Sequence, residues 1–144
     1  MIAAAVIQTS CGKKDAAKGG AGTLKFTING TNYSYNVPDG AIVALGTTTI
    51  SGVASGSNPN SFNLQMQGTG SNTYTIGATT NGLIMQYLVN ATTDLYETPA
   101  HGNINFTISG ATANATFSGV LYGSTATDSI IVTNGSYSGG YNPE

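Results

Sequence analysis

From Leu24 onward, apolar and polar residues alternate with period two through most of the chain. The run Leu24-Lys25-Phe26-Thr27-Ile28 is followed by Asn29-Gly30 and then by Thr31 to Val37. Alternation over five or more residues is the mark of a half-buried strand, since successive side chains point to opposite faces. Asn-Gly tolerates positive φ at both central positions of a type I′ turn, the tightest hairpin connection. Such a turn sets Ile28 against Thr31, Phe26 against Tyr33 and Leu24 against Tyr35. The apolar residues of both strands then share one face, so pattern and turn agree on the register. Two further Asn-Gly pairs allow the same construction. Asn81-Gly82 predicts Ile76 opposite Tyr87, Tyr74 opposite Val89 and Ala78 opposite Met85. Asn134-Gly135 predicts Val132 opposite Tyr137.

Other segments fill the intervals. Phe62, Leu64 and Met66 alternate with Asn63, Gln65 and Gln67, and Ile104, Phe106 and Ile108 with Asn103, Asn105 and Thr107. Ala115, Phe117, Gly119 and Leu121 make another apolar face. Shorter strands are expected at Ile42 to Leu45 and at Thr47 to Ala54. Leu83 to Val89 is apolar on both faces and reads as a central strand covered on each side. Loops are expected at Ser55 to Asn60 and Thr92 to His101, where Gly, Pro and Asn gather. No stretch keeps a helical period. Nine or ten short strands in one domain predict an all-β, antiparallel β-sandwich, with a closed or partly closed up-and-down barrel as the alternative.

Composition narrows what such a domain can do. The chain has 144 residues, 40% of them hydrophobic, enough for one core. Only 7% are charged, against about 25% in ordinary soluble domains, so Thr, Ser, Asn and Gly must carry the surface. Every basic residue is near the start: Lys13, Lys14, Lys18 and Lys25. From Phe26 onward the charged residues are Asp39, Asp94, Glu97, Asp128 and Glu144. A body without Lys or Arg cannot neutralise phosphates, which argues against nucleic-acid binding. The one cysteine, Cys11, excludes an internal disulfide framework and a multi-cysteine zinc site.

The position of that cysteine is informative. Residues 1–10 end an apolar run with Thr9-Ser10 and read as part of a signal peptide, too short to span a bilayer. Small residues ahead of a cysteine match a lipobox, in which Cys11 is acylated and becomes the mature N-terminus. Gln8 departs from the aliphatic residue usual there. Residues 11–22, rich in Gly and Ala with scattered charge, then form a flexible tether, and residues 23–144 form the single β domain.

Several segments together carry a resemblance: the Cys11 leader, "LKFTINGTNYSYN", "TTISG…FNLQMQG", "TYTIGA", "GNINFTISG", "ATFSGVL" and the closing "SIIVTNGSYSG". In order and spacing the chain resembles a family of small, uncharacterised Bacteroidetes lipoproteins. The resemblance implies an envelope lipoprotein, on the outer membrane, and brings no active-site residues with it.

Candidate chemistry is sparse. Asp94, Glu97 and His101 are the one cluster of ionisable residues, and "DLYETPAH" could place them about a loop metal site; a solvated polar loop is the competing reading. Tyr33, Tyr35, Tyr74 and Tyr87 fall on apolar faces and belong to the core, whereas Tyr96, Tyr122 and Tyr141 could be exposed and offer a sugar platform. Asp128-Ser129-Ile130 resembles a short O-glycosylation acceptor in Bacteroidetes, with Ser129 as the acceptor unless strand burial blocks it. No cofactor is expected.

These readings converge on a non-enzymatic, lipid-anchored module of the bacterial cell envelope that binds a ligand or serves structurally, with the membrane as its partner through Cys11. The alternative is a subunit of an extracellular filament or surface assembly built by strand pairing between chains. Sheet edges that lack lysine invite such self-association, or pairing with another envelope protein, unless the fold closes or covers them.

Overall fold

The computed structural model describes residues 19–56, 59–90, 94–123 and 128–143, without the side chains of residues 94 and 98–100. Cys11, the leader and most of the tether lie outside the described residues. Eleven strands are formed: β1 (Gly22–Ile28), β2 (Thr31–Val37), β3 (Ala41–Ala44), β4 (Thr47–Val53), β5 (Ser61–Met66), β6 (Asn72–Ile76), β7 (Gly82–Val89), β8 (Asp94–Tyr96), β9 (Thr98–Ser109), β10 (Thr112–Tyr122) and β11 (Ser129–Asn142). The fold is all-β, as the alternation predicts.

The strands make two layers. One runs β2-β1-β11-β10-β9-β6 and the other β3-β4-β5-β7-β8, in each case through antiparallel pairings. Apolar residues of the two inner faces meet between them. The Phe26 ring lies 4.5 Å from Phe62, and Phe62 lies 5.5 Å from Phe117. Leu24, Ile50, Leu64, Met66, Tyr74, Met85, Ile104, Phe106, Leu121 and Tyr137 are buried with them. Burial of large aromatic and aliphatic side chains on this scale is the main stabilising term for a domain with so few charges.

The two layers are also stitched together at both sides. β2 meets β4 through the single pair Asn36–Val53, and β6 meets β7 through Thr75–Gly82 and Ile76–Leu83. The pairings therefore close a circuit, β1-β2-β4-β5-β7-β6-β9-β10-β11-β1. Closure engages the edge strands β2 and β6 at these few pairs, and engaging an edge is one of the ways a β domain avoids edge-to-edge association.

The three Asn-Gly pairs meet three different fates. Asn29-Gly30 is the expected type I′ turn, with φ of 48° and 87° and the predicted pairs Ile28–Thr31, Phe26–Tyr33 and Leu24–Tyr35. Asn81-Gly82 is not a hairpin. β6 and β7 run parallel there, because each finds a longer antiparallel partner in its own layer: β9 for β6 and β5 for β7. Gly77 and Asn81 take the positive φ, and Gly82 is buried inside β7. Asn134-Gly135 lies in the middle of β11 as a β-bulge. Between Val132 and Gly135 the strand carries an extra residue relative to β10, and the register against β1 shifts at the same point.

Three smaller expectations also need correction. β3 and β4 are joined by a type I′ turn at Leu45-Gly46, with φ of 51° and 76°, although leucine is a poor residue for it. Thr92 to His101 is not one loop, since β8 and the start of β9 fall within it. Pro99 lies at a register shift of β9 against β10, where a missing N–H is tolerated. β7 is not covered on both faces, for Ile84 remains 39% exposed on its outer side.

Candidate functional site

The outer face of the β2-β1-β11-β10-β9-β6 layer is built mainly from amides and hydroxyls, with Ile131, Val120 and His101 forming one row beyond the bulge. Period-two alternation sends Leu, Phe, Ile and Tyr inward, so the intervening Asn, Ser and Thr share the outer side. The register then lines them up across strands. One row runs Ser34, Lys25, Ser136, Thr116, Asn105 and Thr73. A second runs Asn36, Thr23, Ser138, Asn114 and Thr107. Beyond the bulge, Asn103 pairs with both Ser118 and Thr75. At about 4.8 Å between strands, the first row is about 24 Å long.

The bulge shapes this face. Asn134 adopts φ of 51° and is exposed, while Gly135 is buried beneath it. The Phe117 ring packs against Gly135 so closely that a β-carbon there would collide with it. β11 thus bends around Phe117, and Asn134 is raised between two open clefts. One, of about 410 Å³, is lined by Lys25, Thr27, Asn32, Ser34 and Asn134. The other, of about 520 Å³, is lined by Asn103, Asn105, Thr116, Ser118, Asn134 and Ser136. Some side chains are already fixed: the Thr27 hydroxyl donates to Asn32 Oδ1 at 2.7 Å, and the Thr73 hydroxyl to Asn105 Oδ1 at 2.6 Å. Orienting the acceptors in this way leaves the amide N–H groups of both asparagines for a ligand. Lys25 is the one charged side chain of the rows, so the face offers hydrogen bonds in both senses and little net field.

Of the residues singled out by sequence, His101 is on this outer face, exposed on β9 opposite Val120 and two residues from Asn103. Glu97 is exposed and accepts a 3.2 Å hydrogen bond from the Gln86 amide. The side chain of Asp94 lies outside the described structure. Among the described residues no three His, Cys, Asp or Glu side chains come together as metal ligands. Ser129 opens β11 and is exposed, so burial does not mask it, and the neighbouring Asp128 carboxylate accepts from the Tyr96 hydroxyl at 3.2 Å.

The tyrosines divide differently from expectation. Tyr35, Tyr74 and Tyr87 are buried and Tyr33 is half-buried, as the alternation requires. Tyr141, expected at the surface, is buried and donates to the Thr69 carbonyl at 2.6 Å. Tyr35 and Tyr87 join hydroxyls at 3.2 Å, and Asn60 donates to Tyr87 at 3.0 Å. Burial, reinforced by the Tyr87 hydroxyl, pushes the Tyr35 phenol well above its ordinary range. Burial also raises Tyr137 and Tyr141. These phenols are core groups held neutral, not acids poised for chemistry.

The polar rows went unremarked in the sequence because each is assembled from five or six strands. The signal was present in the polar half of every alternation, but the rows need the register to exist. No family model, curated protein or solved structure matches the chain.

Proposed function

We propose that the protein is a non-enzymatic binding module of the bacterial cell envelope, anchored by acylation of Cys11, as in the Bacteroidetes lipoproteins it resembles. Its ligand lies across the outer face of the β2-β1-β11-β10-β9-β6 layer and is an uncharged, hydroxyl-rich polymer such as a neutral glycan. The observation that carries this reading is the row Ser34, Lys25, Ser136, Thr116, Asn105 and Thr73 beside the two clefts at Asn134. A rigid sheet that presents hydroxyls and amides can exchange hydrogen bonds with sugar hydroxyls without first ordering loops, which lowers the entropic cost of binding. The near absence of charge removes the attraction that would select phosphates or acidic polymers. Lipid on Cys11 would hold this face at the cell boundary, where such polymers lie.

Affinity electrophoresis of the β domain in gels cast with soluble mannan, β-glucan or starch tests the ligand class. Retardation by at least one of these, abolished by Thr116→Glu, is expected. Free migration in all three, or retardation that Thr116→Glu leaves intact, overturns it. Cell fractionation tests the anchor: Cys11→Ala should move the protein from the membrane to the soluble fraction.

A further inference from the structure

The end of the domain from which the tether leaves also carries its most exposed leucine. Gly20 accepts a 3.1 Å hydrogen bond from the Gly140 N–H, which fixes the tether's last residues beside the end of β11. β3 runs parallel to that end, with Ala41 beside Tyr141 and Ile42 beside Asn142. The Leu45-Gly46 turn follows three residues later, so it extends beyond the point where the tether enters. Leu45 is 93% exposed and Ile42 on the same hairpin is 41% exposed. A cleft of about 400 Å³ at this end is lined by Gly19, Pro38, Asp39, Ile42, Asn142 and Pro143 among others.

Two features of Leu45 run against the needs of the fold. Its φ of 51° is one that side chains with a β-carbon resist, and Asn fills the equivalent place in the Asn29-Gly30 turn. Its side chain is also almost wholly in water. A residue held in a disfavoured conformation at an exposed tip points to use by a partner.

We propose that the Leu45-Gly46 hairpin, with Ile42, is a membrane-contact element that enters the bilayer interface when Cys11 is acylated. This rests on the anchor reading above. Seven residues separate Cys11 from Gly19, and the eight steps between them reach about 28 Å at full extension. The tether therefore keeps this end within its reach of the bilayer. One leucine and one isoleucine bind a membrane weakly on their own. Tethering makes the contact intramolecular, and the high effective concentration populates it. Lys13, Lys14 and Lys18 in the tether add attraction to anionic headgroups, whereas Asp39 at the cleft opposes it.

The test uses the acylated full chain on phosphatidylethanolamine–phosphatidylglycerol vesicles. With Cys11 acylated, Ala44→Cys supplies a single thiol for an environment-sensitive fluorophore beside an intact Leu45. Thr31→Cys does the same at the opposite end of the first hairpin, where the residue is exposed. The label at position 44 should be blue-shifted and quenched several-fold more by spin-labelled lipid than the label at 31. Adding Leu45→Asp should bring it down to the level of 31. Equal quenching at both positions on vesicle-bound protein overturns the proposal and leaves the anchor standing. A Cys11 found unmodified by mass spectrometry overturns both.

Discussion

Asn29-Gly30 and Asn134-Gly135 are the same dipeptide, each with Asn at positive φ, and they do opposite things to the chain. At Asn29-Gly30 the backbone reverses, and the turn is locked from outside: the Asn29 N–H donates to the Ile131 carbonyl at 3.1 Å, and the Ile131 N–H donates to Asn29 Oδ1 at 2.9 Å. At Asn134-Gly135 the chain runs on, because β11 is paired on both sides and reversal would forfeit both ladders. The difference teaches that a turn dipeptide states what the backbone tolerates. Which tolerated form appears is decided by the neighbours. Gly30 has open space around it, whereas Gly135 is pressed against Phe117.

Substituting both glycines is the most direct way to break the comparison. Gly135→Val should destabilise the domain by about 3 kcal/mol, since a β-carbon there overpacks a buried ring in the middle of a central strand. Urea unfolding would measure it, and a loss no larger than that of Gly30→Val would show that the Phe117 ring yields to the added β-carbon.

Alkaline titration separates the same two regions. Tyr35 belongs to the first hairpin and Tyr137 to the bulged strand, and burial raises both phenols. A group with a raised folded pKa contributes stability that is full below its unfolded pKa, near pH 10, and is lost as pH climbs through the folded value. Each buried tyrosine should therefore steepen the fall above about pH 10 by up to about 1.4 kcal/mol per pH unit. In denaturation curves at pH 10 to 11.5, Tyr137→Phe should flatten the fall by one such share. An unchanged slope would mean that Tyr137 titrates no differently when folded.

Gly30→Val should cost about 1 kcal/mol, from the strain of a β-branched residue at φ of 87° with no steric clash. Leu45→Asn should have the smallest effect and the opposite sign. It gives the second type I′ turn the residue used in the first, and should stabilise by about 0.5 kcal/mol. A melting temperature that falls would mean that Leu45 contributes to the fold in spite of its exposure.

The legible part of this fold was local. The alternation at Phe62-Leu64-Met66 and Ile104-Phe106-Ile108 located strands and their inward faces without reference to any partner, and those residues are buried, Ile108 partly. What could not be read depended on distant pairings. Whether Asn81-Gly82 turned the chain depended on β5 and β9 competing for β7 and β6. Leu45-Gly46 was missed as a turn for the reverse reason, because its sequence lacks the residue that the conformation prefers. Of the polar face, every contributing side chain was visible in the sequence. Their alignment into rows was not, since it needs five registers at once. Tyr141 could have been exposed as far as its sequence shows, but its hydroxyl reaches back to Thr69.

The circuit of pairings has a consequence for biogenesis. β11 is the strand on which three others depend, for it pairs with β1, β10 and β3, and it follows all of them in the chain. A ribosome that has released β1 to β10 has made strands of the first layer that still lack their common neighbour. Contacts that join β1 to β11 span most of the sequence, and such long-range pairing is slow to form. Under the proposed envelope role, that delay would keep the chain unfolded, and so exportable, until β11 is made.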